Sequence, residues 1–244
     1  EGFTGGDDIL DGPIGFISAF SPDHDGDMEA IDGFGDDWEV MNPGISVKKY
    51  PCCFVTHRAA DATLTLTEKH SLTPDMIDHV EVHVPRAAIS STGHVGPLIH
   101  SRPQTGLEGK FSMEYVVTAA LHDRQLKFAS FEDDAVQRPE IQAFIPKVQI
   151  APDDVDHPEG AALGGQYNVI EVHTTDGRVL SEAIREPRGG PSSPLTWDEL
   201  LDKYHDCAIR ALDEESAQRS AELLVDLDDV ENVRTLTAAL SAGA

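Results

Sequence analysis

Residues 167–184 limit the folds open to this chain more than any other stretch. Tyr167 to Thr174 and Arg178 to Ile184 read as two extended runs, and Asp176-Gly177 between them is the turn chemistry that reverses a chain tightly. Such a hairpin is marginal alone and needs further strands or a packed helix. An earlier run meets that need: Ile77-Asp78-His79-Val80-Glu81-Val82-His83-Val84-Pro85 alternates apolar and polar, the period-two pattern of a half-buried strand. Val148-Gln149-Ile150 and residues 46–49 also read as strands.

Helical spacing surrounds these runs. Ala59, Ala60, Thr63, Leu64 and Leu66 mark one helix face from Thr56 to about His70; Met113, Val116, Val117, Ala120 and Leu121 mark another from Phe111 to about His122. A shorter helix over 139–145 starts with Pro139, and one over Pro13 to Phe20 has its proline near the first turn. Ser21 to Asp27 reads as a solvated acidic loop; its acids are spaced like a calcium loop, but the distal Glu is absent. Residues 86–109 and 151–166 read as loops. Arg188-Gly189-Gly190-Pro191-Ser192-Ser193-Pro194 is the clearest boundary. Beyond it Thr196 caps a helix holding Trp197, Leu200, Leu201 and Tyr204, and two more follow near 214–226 and 229–241. The expectation is an α+β chain: helices with an antiparallel sheet over 46–187, then helices alone.

Charge excludes whole classes of partner. There are 18 basic against 44 acidic residues in 244, a net charge of -26, and that field repels nucleic-acid phosphates. The acid is dispersed, Asp exceeds Glu and Lys is scarce, a balance that suits a halophilic protein. Apolar runs fall short of the roughly 18–20 residues a membrane span needs. Cys52, Cys53 and Cys207 make no disulfide framework and suit a reducing cytoplasm. The start, Glu1-Gly2-Phe3-Thr4, is polar, carries no secretory pattern and lacks Met, so the chain reads as part of a longer protein.

Chemistry-bearing residue types gather at two places. The first is Lys48-Lys49-Tyr50-Pro51-Cys52-Cys53-Phe54-Val55-Thr56-His57 with Asp61, a strand-to-helix elbow presenting cations beside a helix N-terminus, where anions are favoured. His57 and Asp61 stand four apart on one helix face. Two readings stay open: His57 assists proton transfer with Asp61 orienting it, or the pair ties the helix to its neighbours. The second place is Arg102 to Tyr115, where Arg102 and Lys110 flank a Gly-rich turn suited to carboxylates. Ser112 and Tyr115 are substrate donors or helix surface. His79 and His83 share one strand face, yet no third ligand is near in sequence, so surface histidines and no metal are expected.

These elements in this order, with Arg102-Pro103-Gln104-Thr105-Gly106-Leu107-Glu108-Gly109-Lys110-Phe111-Ser112-Met113-Glu114-Tyr115 and the later Arg138-Pro139, resemble the MmgE/PrpD family. The resemblance implies an α+β domain over 46–190 inserted into an all-helical domain, to which 1–45 and 191–244 would belong. It implies a homodimeric lyase, 2-methylcitrate dehydratase-like, that abstracts a proton from a small di- or tricarboxylate without a cofactor. An epimerase of the iminodisuccinate type and a non-catalytic carboxylate-binding or dimerisation module are the alternatives. Lys48 matches the family's active-site lysine, which implies an anion clamp there, and Lys49 is the weaker candidate. With Lys48, His57 and Cys53 form the implied catalytic set; Arg102, Lys110, Ser112 and Tyr115 form the substrate-binding set. The family's decarboxylase has a histidine where this chain has Cys53, and a thiol with an ordinary pKa about two units higher is no equivalent. The upstream Asp, Thr and His residues of the family's site have no counterpart in this chain, which implies half of an active site.

Self-repulsion among the acids should make stability depend on salt, because the screening length falls from about 10 Å at 0.1 M to about 3 Å at 1 M. The melting temperature followed by circular dichroism is expected to climb steadily from low salt into molar KCl; a flat response would remove the halophilic reading.

Overall fold

The computed structural model describes residues 6, 8–10, 12, 13, 15–21, 35, 36, 38–153, 157, 158 and 166–241. Of the expected acidic loop only Ser21 is among them, and most of the 151–166 loop also lies outside the described residues. Contacts divide the chain into two units, Glu1–Ile45 and Ser46–Ala244. In the first, the helix expected over Pro13 to Phe20 is a single turn, α1 (Phe16–Phe20), with the two terminal phenylalanine rings 4.6 Å apart. Pro13 stays in the preceding turn.

The second unit is α+β. Its elements run α2 (His57–His70), β1 (Ile77–Pro85), α3 (Gly106–Gly109), α4 (Met113–Asp123), α5 (Asp133–Val136), α6 (Pro139–Phe144), β2 (Val148–Asp153), β3 (Asn168–Thr174), β4 (Val179–Ile184), α7 (Trp197–Ala208), α8 (Glu214–Val225) and α9 (Val233–Ala239). Among the described residues no helix is long and apolar enough to cross a membrane. Residues 46–49 are not a strand: one bond, Val47 N–H to the Gly189 carbonyl at 2.8 Å, holds this extended entry.

The sheet order is β2-β1-β3-β4. β3 pairs antiparallel with β1 and with β4, the latter being the expected hairpin. β2 departs from the expectation, pairing parallel to β1 with Val80 opposite Val148. The connection explains it: α3 to α6 lie between the two strands, and a long helical crossover is what allows parallel pairing. Period-two alternation reads the same in either direction, so the sequence did not distinguish them.

Val80, Val82 and Val84 of β1 and Ile170 and Val172 of β3 turn inward, joining Ala59, Ala62 and Leu66 of α2 and Met113, Val117 and Leu121 of α4 in one core. A second core carries Tyr50, Cys52, Ala60, Tyr115, Ala119, Phe131 and Ile141, so the elbow is rooted in packed apolar side chains. On the opposite sheet face the pairing overturns one expectation. His79, Glu81 and His83 are joined there by Glu171 and His173, because Glu81 lies opposite Glu171 and His79 opposite His173.

Gly106 shows how closely the crossover is packed. A Cβ there would run into the backbone carbonyl of Phe131, while its own N–H donates to Asp133 Oδ1 at 2.7 Å. Gly106→Ala is therefore expected to destabilise the fold by about 1–3 kcal/mol, read as a lower urea midpoint with an unchanged slope.

Candidate carboxylate-binding wall

A short 3-10 turn, Phe54–Thr56, runs directly into α2, so the chain leaves its extended entry at Cys53 and turns helical within one residue. The second polar segment meets it there. The Cys53 N–H donates to the Lys110 carbonyl at 2.9 Å. The ammonium groups of Lys48 and Lys110 both lie near enough to Cys52 to favour its thiolate, but burial outweighs them and pushes the thiol up to about 12. Cys52 is thus a neutral packing residue, its Sγ 3.2 Å from Thr56 Oγ1. Cys53 is half-buried at the turn itself.

Lys48 is exposed and makes no ion pair among the described residues; its Nζ reaches the Cys52 carbonyl at 3.5 Å. Lys49 is committed elsewhere, to Glu199 Oε1 at 2.8 Å. Lys110 is half-buried, with Nζ 5.7 Å from the centre of the Phe128 ring. Arg102 is exposed on the loop before α3, and its carbonyl accepts from Gln104 at 3.3 Å. That loop is tied down: Gln104 N–H donates to Glu108 Oε2 at 2.6 Å, and Gln142 reaches the Pro103 carbonyl at 2.9 Å. The structure therefore gathers Lys48, Cys52, Cys53 and Lys110, and leaves Arg102 on the rim of the same motif.

Three of the expected site residues face inward instead. Ser112 is fully buried as the N-cap of α4, its Oγ accepting from the Tyr115 N–H at 3.1 Å. Tyr115 is also fully buried; its hydroxyl donates to the Ser130 carbonyl, and burial drives its pKa upward. Both are occupied with holding α4 and are not offered to a substrate. His57 lies enclosed beneath the elbow, its ring 5.2 Å from those of Tyr50 and Phe54. Asp61 does not orient it. That carboxylate accepts the Tyr50 hydroxyl at 2.6 Å and the Arg188 N–H at 2.7 Å, so of the two readings left open the structural one describes Asp61. Neither His57 nitrogen meets a partner in hydrogen-bonding geometry, although the Cys52 and Tyr50 carbonyls lie near. Burial lowers its pKa to about 4, against that partial help from the carbonyls.

One group escaped the sequence reading. Glu114, in the first turn of α4, has its carboxyl raised by burial, offset in part by its own N–H, by Ser112 and by His94. A half-buried carboxyl whose pKa is raised by burial is a candidate for proton transfer. It stood within the quoted motif, but only the fold tells that it is half-buried. A cleft of about 180 Å3 opens on the Lys49 side, lined among others by Lys49, Phe128, Lys127, Glu199, Asp202 and Lys203, and Lys110 Nζ stands 5.7 Å from the centre of that Phe128 ring.

The MmgE/PrpD C-terminal domain profile matches residues 50–229, most of the chain and nearly all of the second unit. The chain belongs to the MmgE/PrpD family. Among curated relatives, the cis-aconitate decarboxylase of Aspergillus terreus is 24% identical over 216 residues, covering 85% of this chain and 42% of that protein. The mouse cis-aconitate decarboxylase is 26% identical over 240 residues, 97% of this chain and 47% of the relative. The human one is 22% identical over 244 residues, 98% and 48%. The chain spans about half the length of the curated relatives it matches.

His57 gives the wall a pH dependence. Unfolding frees it to protonate near 6.5, whereas in the fold it resists until about 4, so stability is complete above 6.5 and is lost as pH falls through that window. The loss assignable to this residue is about 3 kcal/mol. Urea unfolding across the window should show His57→Gln losing less stability on acidification than wild type; parallel curves would contradict the burial of a neutral ring.

Proposed function

We propose that this chain supplies the carboxylate-binding wall of an MmgE/PrpD-type lyase acting on a small di- or tricarboxylate. The observation that carries the reading is the Cys53–Lys110 backbone bond, which holds two cation-bearing motifs together beside the start of a helical run. Lys48 and Lys110 neutralise substrate carboxylates, and the N–H groups at the start of that run add partial positive charge. With the negative charge offset, a proton on the carbon next to a carboxylate can be removed, and water leaves from the adjacent carbon as the double bond forms. Such a dehydration needs no electron carrier. His57 supports the elbow from below, and Glu114, two residues after Ser112 in the second motif, is the titratable group that we favour for testing as a proton carrier. The same proposal takes the enzyme to be a homodimer of a salt-adapted cytoplasm.

A second reading is decarboxylation, favoured by the names of the relatives that align over most of the chain. Against it stands Cys53, whose thiol is a poor substitute for an imidazole near neutral pH. The products separate the readings: a hydrated or dehydrated tricarboxylate for the first, carbon dioxide for the second. Solvent-proton exchange without elimination would instead indicate an epimerase.

Assayed in the full-length protein on 2-methylcitrate and cis-aconitate, Lys48→Ala is expected to lower kcat/KM by about 100-fold or more with unchanged circular dichroism. Lys110→Ala should act mainly on KM. Full activity in Lys48→Ala would overturn the wall as described, and absence of turnover on any polycarboxylate would leave a non-catalytic binding module.

A further inference from the structure

We infer that the solvent-side face of the sheet binds a divalent transition metal of the zinc class through His83, His157 and Glu171. The argument begins with strand alternation. Val80, Val82 and Val84 go to the core, so His79, Glu81 and His83 must share the other face. β3 then places Glu171 and His173 alongside, and His157 arrives from the segment after β2. His157 Nε2 lies 3.1 Å from Glu171 Oε1, and His83 Nε2 lies 3.5 Å from Glu171 Oε2. One ligand atom from each of the three residues falls within 4.8 Å of the others. Metal–ligand bonds of about 2.0–2.2 Å put tetrahedral donors roughly 3.4 Å apart, close to the 3.1 and 3.5 Å separations from Glu171.

The supporting shell around His83 is the stronger observation. Its Nδ1 is 3.2 Å from Asp153 Oδ1, and Asp153 Oδ2 accepts the Tyr167 hydroxyl at 2.9 Å. A carboxylate on one ring nitrogen fixes the proton there and leaves the other nitrogen bare for a metal. The bare Nε2 of His83 is buried and makes no hydrogen bond, although Glu81 stands 3.3 Å away and Glu171 3.5 Å away. A lone pair facing two carboxylates is repulsive unless a cation or a proton lies between them. Imidazole donors favour zinc-class ions over magnesium or calcium, which prefer all-oxygen shells. The bound ion would clamp β1, β3 and the segment carrying His157 to one another.

A neighbouring triad, His79, Glu81 and His173, provides an internal control. It is more open to solvent, and its histidine rings stack with centroids 4.1 Å apart. A proton shared among the carboxylates and His83 would also relieve the repulsion, and metal titration distinguishes the two. Metal-stripped 244-residue chain should bind one Zn2+ in competition with a chromophoric chelator near neutral pH. Co2+ should give the visible absorption of a four-coordinate site, and Mg2+ and Ca2+ should not compete. His83→Gln and His157→Ala are expected to abolish binding with unchanged far-ultraviolet circular dichroism; His157 lies outside the strands, so its loss leaves the sheet intact. Asp153→Asn should weaken binding by about 10–100-fold while keeping the cobalt spectrum, and His79→Ala should bind as wild type. A wild-type chain that takes up no Zn2+, binding that survives His157→Ala, or binding lost on His79→Ala would each overturn the assignment.

Discussion

The buried carboxylate of Asp61 is the interaction from which the rest of this structure hangs. It sits on the first turns of α2, yet its two oxygens are taken by the Tyr50 hydroxyl before the helix and the Arg188 N–H after the sheet. Burial pushes its pKa up, and those two hydrogen bonds work against that push. The arrangement then closes on itself: the Arg188 guanidinium pairs with Glu199, and Glu199 also holds Lys49, the residue next to Tyr50. Burial would raise the Glu199 carboxyl, but Lys49, the Thr196 N–H and Arg188 outweigh it and hold it at about 2. The elbow, the turn after β4 and the start of α7 are thus fixed to one another by a ring of charges and hydrogen bonds. Removing one member of such a ring strands the others in a partly desolvated place.

That ring explains why Lys48 and Lys49, adjacent in sequence, have different fates. Lys49 is drawn into the structural circuit, while Lys48 remains exposed beside Cys52 and Cys53. The two cysteines divide similarly. Cys52 is sealed in apolar packing with its thiol pushed up, and Cys53 carries the backbone bond that joins the two motifs. A motif read as a string of reactive side chains is, in the fold, one layer of supports beneath one layer of exposed groups.

Sequence periodicity sufficed for the helices and strands whose signal is local. The bounds of α2, α4, β1 and the β3–β4 hairpin follow from spacing of apolar residues and from turn chemistry within the segment itself. What was not legible depends on partners far along the chain. The parallel pairing of β2, the inward turn of Ser112 and Tyr115, and the meeting of His79 and His83 with Glu171 and His173 are set by register, not by neighbours. Ser112 and Tyr115 show the limit most clearly: a hydroxyl near a cationic motif looks like a substrate donor until its backbone partners at Tyr115 and Ser130 are seen.

The order of the sheet has a further bearing, on how the chain reaches its native state. Among the described strands only β3 and β4 are joined by a tight turn; β1, inside the sheet, waits for partners at 148–153 and 168–174. Non-local pairing of this kind delays closure, since the entropy of the intervening chain is lost before the strand contacts compensate it. Through that interval β1 presents valines on one face and unpaired backbone on both edges, the condition under which strands associate with other chains. The opposite face of β1, with Glu81 between His79 and His83, is charged and polar, the kind of flanking chemistry that works against such association before the sheet has closed.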